Sequence, residues 1–238
     1  MMSGIQQNIE ESQILRLSSK VKALEELFAL QSAELVREKQ RVVDLEEQLE
    51  EAIKQSIYDP LTGLVTRREM ERQIFLHFAS LERAEKMTKQ GRAQTTEVEE
   101  FSILVLDLNG LKTVNDLFGH KAGDTLLETF ASILRGHFSR GTDIPCRWGG
   151  DEFVVLLGGV TPHAKAQKIA ERFLEDLSSV ILHFPLENTS GNTLHPVPVR
   201  TAIGVASTSD GFRTVKEIFD AADIAMYMHK KASKEGRE

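Results

Sequence analysis

Between residues 5 and 56 the apolar positions recur at alternating spacings of three and four. The series is Ile14, Leu17, Val21, Leu24, Phe28, Gln31, Leu35, Glu38, Val42, Leu45, Leu49 and Ala52, and no glycine or proline interrupts it after Gly4. This is the a/d seam of a coiled coil, with Val21, Phe28, Leu35, Val42 and Leu49 at a. In a parallel dimer each g residue meets its partner's e residue five positions on. Lys20 with Glu25, Glu34 with Lys39, and Arg41 with Glu46 are all opposite-charge pairs in that register. The pattern therefore predicts a parallel homodimer through residues 5–56, in preference to a helix lying on its own domain. Gln31 and Glu38 put polar groups in adjacent d layers. Two facing Glu38 carboxylates repel and lose hydration, so the seam is weak in its middle. A weak layer suits a stalk that regulates, with an unknown protein or ligand as its input; the alternative is that these residues only set the oligomeric state.

The heptads stop at Tyr58-Asp59-Pro60-Leu61-Thr62-Gly63-Leu64, whose proline and glycine mark a boundary near residue 57. The chain thus divides into a coiled-coil segment, 1–56, and a folded domain, 57–238. Thr66 and Glu69 have capping-box spacing for a helix reaching about Lys89, and a polar loop is expected over 88–100. Phe101-Ser102-Ile103-Leu104-Val105-Leu106 is a nearly continuous apolar run, as in a buried strand ending at Asp107. Helical spacing follows over 122–138 through Leu126, Leu127, Phe130, Ile133 and Leu134. Two β-prone runs, Ile144-Pro145-Cys146 and Val154-Val155-Leu156-Leu157, flank Gly149-Gly150-Asp151-Glu152 and predict a hairpin with that tetrapeptide at its tip. A helix is expected over 162–182, a connection or hairpin over 184–199, a strand over 199–206 and a last helix over 215–234. Strands and helices interleave around one sheet, an α+β arrangement of the ferredoxin or palm type.

Composition narrows the function. Charged residues make up 27% and hydrophobic ones 41%, as in a soluble folded protein. A net charge of −7 argues against a nucleic-acid-binding surface. No apolar run is long enough to span a bilayer and no signal peptide opens the chain, so a cytoplasmic protein without membrane insertion is expected. The one cysteine, Cys146, excludes an internal disulfide and reads as a packed strand residue.

Two stretches carry candidate chemistry. Gly149 and Gly150 let a bulky anion approach the backbone, and Asp151 and Glu152 lie beside that approach. Unpaired carboxylates would repel a phosphate, whereas a divalent cation between them reverses the sign. An acidic β-turn facing water is the plain alternative for so short a motif. Upstream, Asp107-Leu108-Asn109-Gly110-Leu111-Lys112 places an acid at a strand's end, a glycine turn and a lysine five residues on. That supplies a metal ligand and a phosphate counter-charge.

Together these stretches resemble the GGDEF family of diguanylate cyclases, which condense two GTP molecules into cyclic di-GMP. The resemblance runs from about residue 57 to 238, and Asp59-Pro60-Leu61-Thr62-Gly63-Leu64 with Arg67-Arg68 is similar to the family's entry motif. It implies Asp107 and Asp151 as side-chain metal ligands, the Leu108 carbonyl as a backbone ligand, and Mg²⁺ as the metal, with Mn²⁺ as the alternative. It implies Glu152 next to the attacking hydroxyl, as general base or ligand, and Lys112, Lys230 and Lys234 neutralising phosphate charge. Amides near Gly110 and Leu111 would cradle the β/γ-phosphates. Asn115, His120 and Asp124 match nucleoside-contacting positions. A carboxylate at Asp124 can accept from guanine N1–H and N2 amine together, a pairing that adenine cannot offer. Each domain would hold one GTP, so chemistry needs two domains face to face, and the coiled coil raises their effective concentration towards millimolar. Arg140 and Asp143 match the family's inhibitory product site for cyclic di-GMP, to which Arg172 of the following helix would add a second guanidinium; a surface ion pair is the alternative.

The chain also departs from the family pattern. Asn109 replaces a second aspartate, Gly110 a bulkier residue, Thr66 an asparagine, Lys234 an arginine and Glu235 an asparagine, and the family's usual last strand is missing from the expected elements. Two rival functions compete with the enzyme: a silent nucleotide-binding adaptor, and a coiled-coil interaction protein whose domain is incidental.

Overall fold

The computed structural model describes residues 2–90, 100–159, 162–185 and 193–235, with side chains described from residue 15 to residue 233. Two compact units divide at Lys54 and Gln55. The first is formed by helix α1 up to Lys54; the helix itself runs Met2–Ile57. Its seam residues Leu17, Val21, Leu24, Phe28, Leu35, Val42, Leu45 and Leu49 are all at least 51% exposed in the single chain.

The second unit is built on a five-stranded sheet. Its strands are β1 (Val65–Thr66), β2 (Ser102–Leu108), β3 (Asp143–Arg147), β4 (Glu152–Leu157) and β7 (Thr201–Ser207), in the order β1-β3-β4-β2-β7. The short β1 is parallel to β3, and every other pairing is antiparallel. Strands β5 (Ile181–Pro185) and β6 (Leu194–Pro198) form a separate hairpin. Helices α2 (Arg67–Lys89), α3 (Leu111–Phe118), α4 (His120–His137), α5 (His163–Ser178) and α6 (Val215–Glu235) flank the sheet.

Strand β2 is apolar at five of its seven positions because both its faces are covered. Leu104, Leu106 and Leu108 face a core with α4 and α5, where Phe130, Phe153 and Phe173 meet edge to face. Ile103 and Val105 face a second core with α2 and α6. Residue 107 continues the second set, which turns Asp107 toward α6. Helix α6 packs closely on the sheet at Gly204, where a Cβ would lie 2.0 Å from the Ala222 carbonyl oxygen. Cys146 is buried in that core, and burial pushes its thiol well above the ordinary range.

Four local readings need correction. The helix expected over 162–182 ends at Ser178, and Leu182 lies in β5. The β-branched Val180 and Ile181 fit a pleated strand better than a last helical turn. The capping box at Thr66 is absent: no side-chain cap bond forms, Thr66 Oγ1 donates to the Ser56 carbonyl at 2.8 Å, and Glu69 takes Arg72 and Gln73 instead. Helix α3 was not expected as a helix at all. The loop read over 88–100 begins two residues later than expected, and its residues 91–99 lie outside the described residues.

Candidate active site

The candidate site forms where β2 and β4 end side by side. Asp107 and Glu152 are direct cross-strand partners, which sets their Cβ atoms about 4.5–5.5 Å apart on one face. The Leu108 amide donates to the Asp151 carbonyl at 2.8 Å, so the two acidic stretches are stitched backbone to backbone. From the other side Thr201 Oγ1 donates to the Asp107 carbonyl at 2.9 Å. Helix α6 brings Lys230, whose Nζ lies 2.7 Å from Asp107 Oδ1 in a half-buried ion pair.

Just past Leu108 the backbone reverses at Gly110, with φ of 85°, and enters α3. Only glycine takes that conformation without steric cost. The first amides of α3 have no partner within the helix, so Leu111 and Lys112 present N–H groups at its positive end. Asp107, Leu108, Gly110, Leu111, Lys112, Asp151 and Lys230 line one cleft of ≈ 340 Å³. Five of these residues come from the 107–112 stretch, and the fold brings Asp151 and Lys230 to them. Asn115, His120 and Asp124 lie outside that cleft, along α3 and the start of α4. Asn115 is half-buried against Gly123, where a Cβ would come within 1.9 Å of its Oδ1. His120 and Asp124 are exposed. Lys234 continues α6, and its side chain lies outside the described residues.

The turn that carries Gly149 and Gly150 is held from below by Arg147. Its Nε donates to the Gly149 carbonyl at 3.1 Å and its Nη2 to the Gly150 carbonyl at 3.0 Å. Its Nη1 reaches Asp59 Oδ1 at 3.2 Å. Burial pushes the Asp59 carboxyl up, but hydrogen bonds from Thr62 and Arg147 outweigh it and hold the group below its ordinary value. Trp148 stacks on Phe219 of α6 at 4.5 Å, with the Arg67 guanidinium 4.6 Å from its ring centre. Sequence reasoning assigned no role to Asp59, Arg147, Thr201 or Trp148. The available signal was Arg147 itself, a cation directly before a turn whose carbonyls need donors.

Arg140, Asp143 and Arg172 also come together, in a second cleft of ≈ 340 Å³ that His137 and Asp176 complete. Asp143 Oδ1 is buried there without a hydrogen-bond partner. Burial pushes the Asp143 carboxyl above the ordinary range, against the pull of Arg140 and Lys165.

The donor set of the first cleft suits a hard divalent cation. Mg²⁺ takes one or two carboxylates and completes its shell with substrate phosphates and water, and Asp107, Asp151 and the Leu108 carbonyl supply oxygen ligands only. Among the described residues no group of three or more His, Cys, Asp or Glu side chains gathers. The Lys230 ammonium already pairs with the Asp107 carboxylate.

The sheet thus brings carboxylates at paired strand ends beside a helix N-terminus and a lysine of α6. The family model described as diguanylate cyclase, GGDEF domain, matches residues 56–236, and the chain belongs to that family. An uncharacterized protein from the hutH 5′ region of Streptomyces griseus is 37% identical over 197 residues, covering 80% of this chain and 68% of that protein. The diguanylate cyclase DgcM of Escherichia coli K12 is 34% identical over 187 residues, which is 78% of this chain but only 38% of DgcM. Among solved structures, the coiled coil and GGDEF domain of DgcB from Caulobacter crescentus, in complex with c-di-GMP, superposes with a TM-score of 0.66. It covers 84% of this chain and 94% of that one at 22% identity, a likeness of fold. Among the described residues no helix is long and apolar enough to cross a membrane.

Proposed function

We propose that this protein is a Mg²⁺-dependent diguanylate cyclase that condenses two GTP molecules into cyclic di-GMP and two pyrophosphates across a parallel homodimer in the cytoplasm. The observation that carries the reading is the convergence of Asp107, Leu108, Asp151, Lys112 and Lys230 on one cleft with a helix N-terminus at its wall. In each half-reaction a ribose 3′-oxygen attacks the α-phosphorus, a new P–O bond forms, and the bond to the β-phosphate oxygen breaks. Glu152, across from Asp107, takes the proton of the attacking hydroxyl. Lys112 and Lys230 offset charge on the phosphates, as Lys234 does farther along α6, while the amides at Gly110 and Leu111 hold the β- and γ-groups. Asp107, Asp151 and the Leu108 carbonyl would hold the divalent ion, which when bound would supply Lewis-acid stabilisation of phosphate charge and an acidified attacking hydroxyl. Asn115, His120 and Asp124 select guanine. A second, symmetric transfer closes the ring, so two domains must meet.

The exposed apolar seam of α1 supports the dimer, because a seam of that length left in water would be costly. Its weak Gln31 and Glu38 layers are where an input to the stalk acts. The cleft at Arg140, Asp143 and Arg172 supports product inhibition: Arg140 can fork onto a phosphate or guanine, and the orphaned Asp143 carboxyl oxygen can accept a guanine N–H. Purified protein incubated with GTP and Mg²⁺, with chromatographic separation of products, tests the reading. A cyclic dinucleotide supports it; GTP that binds without conversion would establish the adaptor instead.

A further inference from the structure

Strand β7 lies at the edge of the main sheet. One side pairs with β2, and the other faces a groove of ≈ 470 Å³ between α5 and α6. In that groove the Ile203 amide donates to Nδ1 of His229 at 3.0 Å. A main-chain N–H can only donate, so Nδ1 must present its lone pair. The imidazole is then neutral, with its proton on Nε2.

The position of this bond gives it consequence. His229 directly precedes Lys230, whose Nζ holds Asp107 Oδ1. Ile203 directly follows Ala202, the cross-strand partner of Asp107. Helix and sheet are therefore tied one residue from Lys230 on α6 and one residue from the cross-strand partner of Asp107 on β7. Nearer the start of α6 the helix rests on Gly204, where a Cβ would meet Ala222 and Met226 main-chain atoms at 2.0 and 2.2 Å. Beyond Met226 the His229 bond carries that hold toward the site.

We propose that His229 is a positioning residue: as a neutral imidazole it fixes the last turns of α6 on the free edge of β7 and so holds Lys230 on Asp107. The kinetic consequence rests on the cyclase reading above; the structural one does not. Protonation puts a second N–H on Nδ1, facing the Ile203 N–H, and the bond is lost. The charged and titratable groups around His229 are Arg200 from the segment between β6 and β7, Glu171 and His163 from α5, and Lys230 on its own helix.

Two variants separate this role from plain packing. His229→Asn sets an amide oxygen where Nδ1 stands, so it accepts from Ile203 and does not titrate, whereas His229→Ala removes the acceptor. The Ala variant should lose about three- to tenfold in kcat/KM, the effect of one neutral hydrogen bond. The Asn variant should stay within about twofold of wild type at neutral pH and lose less rate than wild type at mildly acid pH. Equal impairment of both variants, or an unchanged acid response in His229→Asn, overturns the proposal. A parallel ¹⁵N NMR measurement needs no turnover. It should find His229 Nδ1 unprotonated at neutral pH, and Ile203 amide exchange faster in the Ala variant than in wild type or the Asn variant. A protonated Nδ1, or identical exchange in all three, refutes the positioning role. Absence of product from the wild type alone would refute only the cyclase reading.

Discussion

Arg147→Ala removes the guanidinium that holds the Gly149-Gly150 turn. Both members of the Arg147–Asp59 pair are mostly buried, with side chains 16% and 21% exposed. Truncation deletes the bonds to the Gly149 and Gly150 carbonyls and the bridge to Asp59. Hydrogen bonds to a charged group contribute about 1.5–3 kcal/mol each. The three act together and water can enter the vacated space, so the net loss should be about 2–4 kcal/mol rather than their sum. Asp59 is not stranded, because the Thr62 amide and hydroxyl still donate to Oδ1 at 2.8 and 2.6 Å. The larger effect should fall on rate. Asp151 and Glu152 adjoin the released turn, and a misplacement of about 1 Å can cost about a hundredfold. Urea unfolding and initial rates of cyclic di-GMP formation measure both effects. Arg147→Lys should recover part of the stability through Asp59 but little of the rate, because one ammonium cannot fork onto two carbonyls. An Arg147→Ala rate within about twofold of wild type would refute this account of the turn. The pH dependence has a defined sign. Since the folded Asp59 value is lowered, its stabilisation is present above the ordinary carboxylate range and is lost as pH falls through the folded value. Arg147→Ala should flatten that acid limb.

Other perturbations address separate parts of the molecule. Arg140→Ala should leave initial rates nearly unchanged yet relieve the late slowing of progress curves by product, and unchanged inhibition would rule out a role for that cleft. Gln31→Leu with Glu38→Leu should keep the dimer, by light scattering, while locking activity high or low; a wild-type rate and a wild-type response to every tested condition would make the stalk a plain clamp. Gly204→Ala drives a methyl group into the main chain of α6 and should lower unfolding stability by ~3 kcal/mol or more, read from the urea midpoint.

Much of this molecule was legible in its sequence. The strand at 102–108, the hairpin tip at Gly149-Gly150 and the last helix follow from local apolar patterns that agree with the fold. The grouping of Asp107 with Asp151 was reachable only through resemblance, since no spacing rule links acids on two different strands. Helix α3 was hidden because Gly110, read as a turn, also starts a helix too short to show periodicity. The capping box at Thr66 failed because the Ser56 carbonyl and Arg72 compete for its two members. Asp59 with Arg147 and His229 with Ile203 are tertiary pairs 88 and 26 residues apart, respectively, which no local pattern announces.

The most direct measurement follows GTP, pyrophosphate and cyclic di-GMP together during incubation of the purified protein with Mg²⁺. Two GTP consumed and two pyrophosphates released per cyclic di-GMP are expected, with all three signals abolished by chelation and by Asp107→Asn. GTP left intact by the wild type, or equal turnover by wild type and Asp107→Asn, would contradict the assignment of this cleft as a cyclase active site.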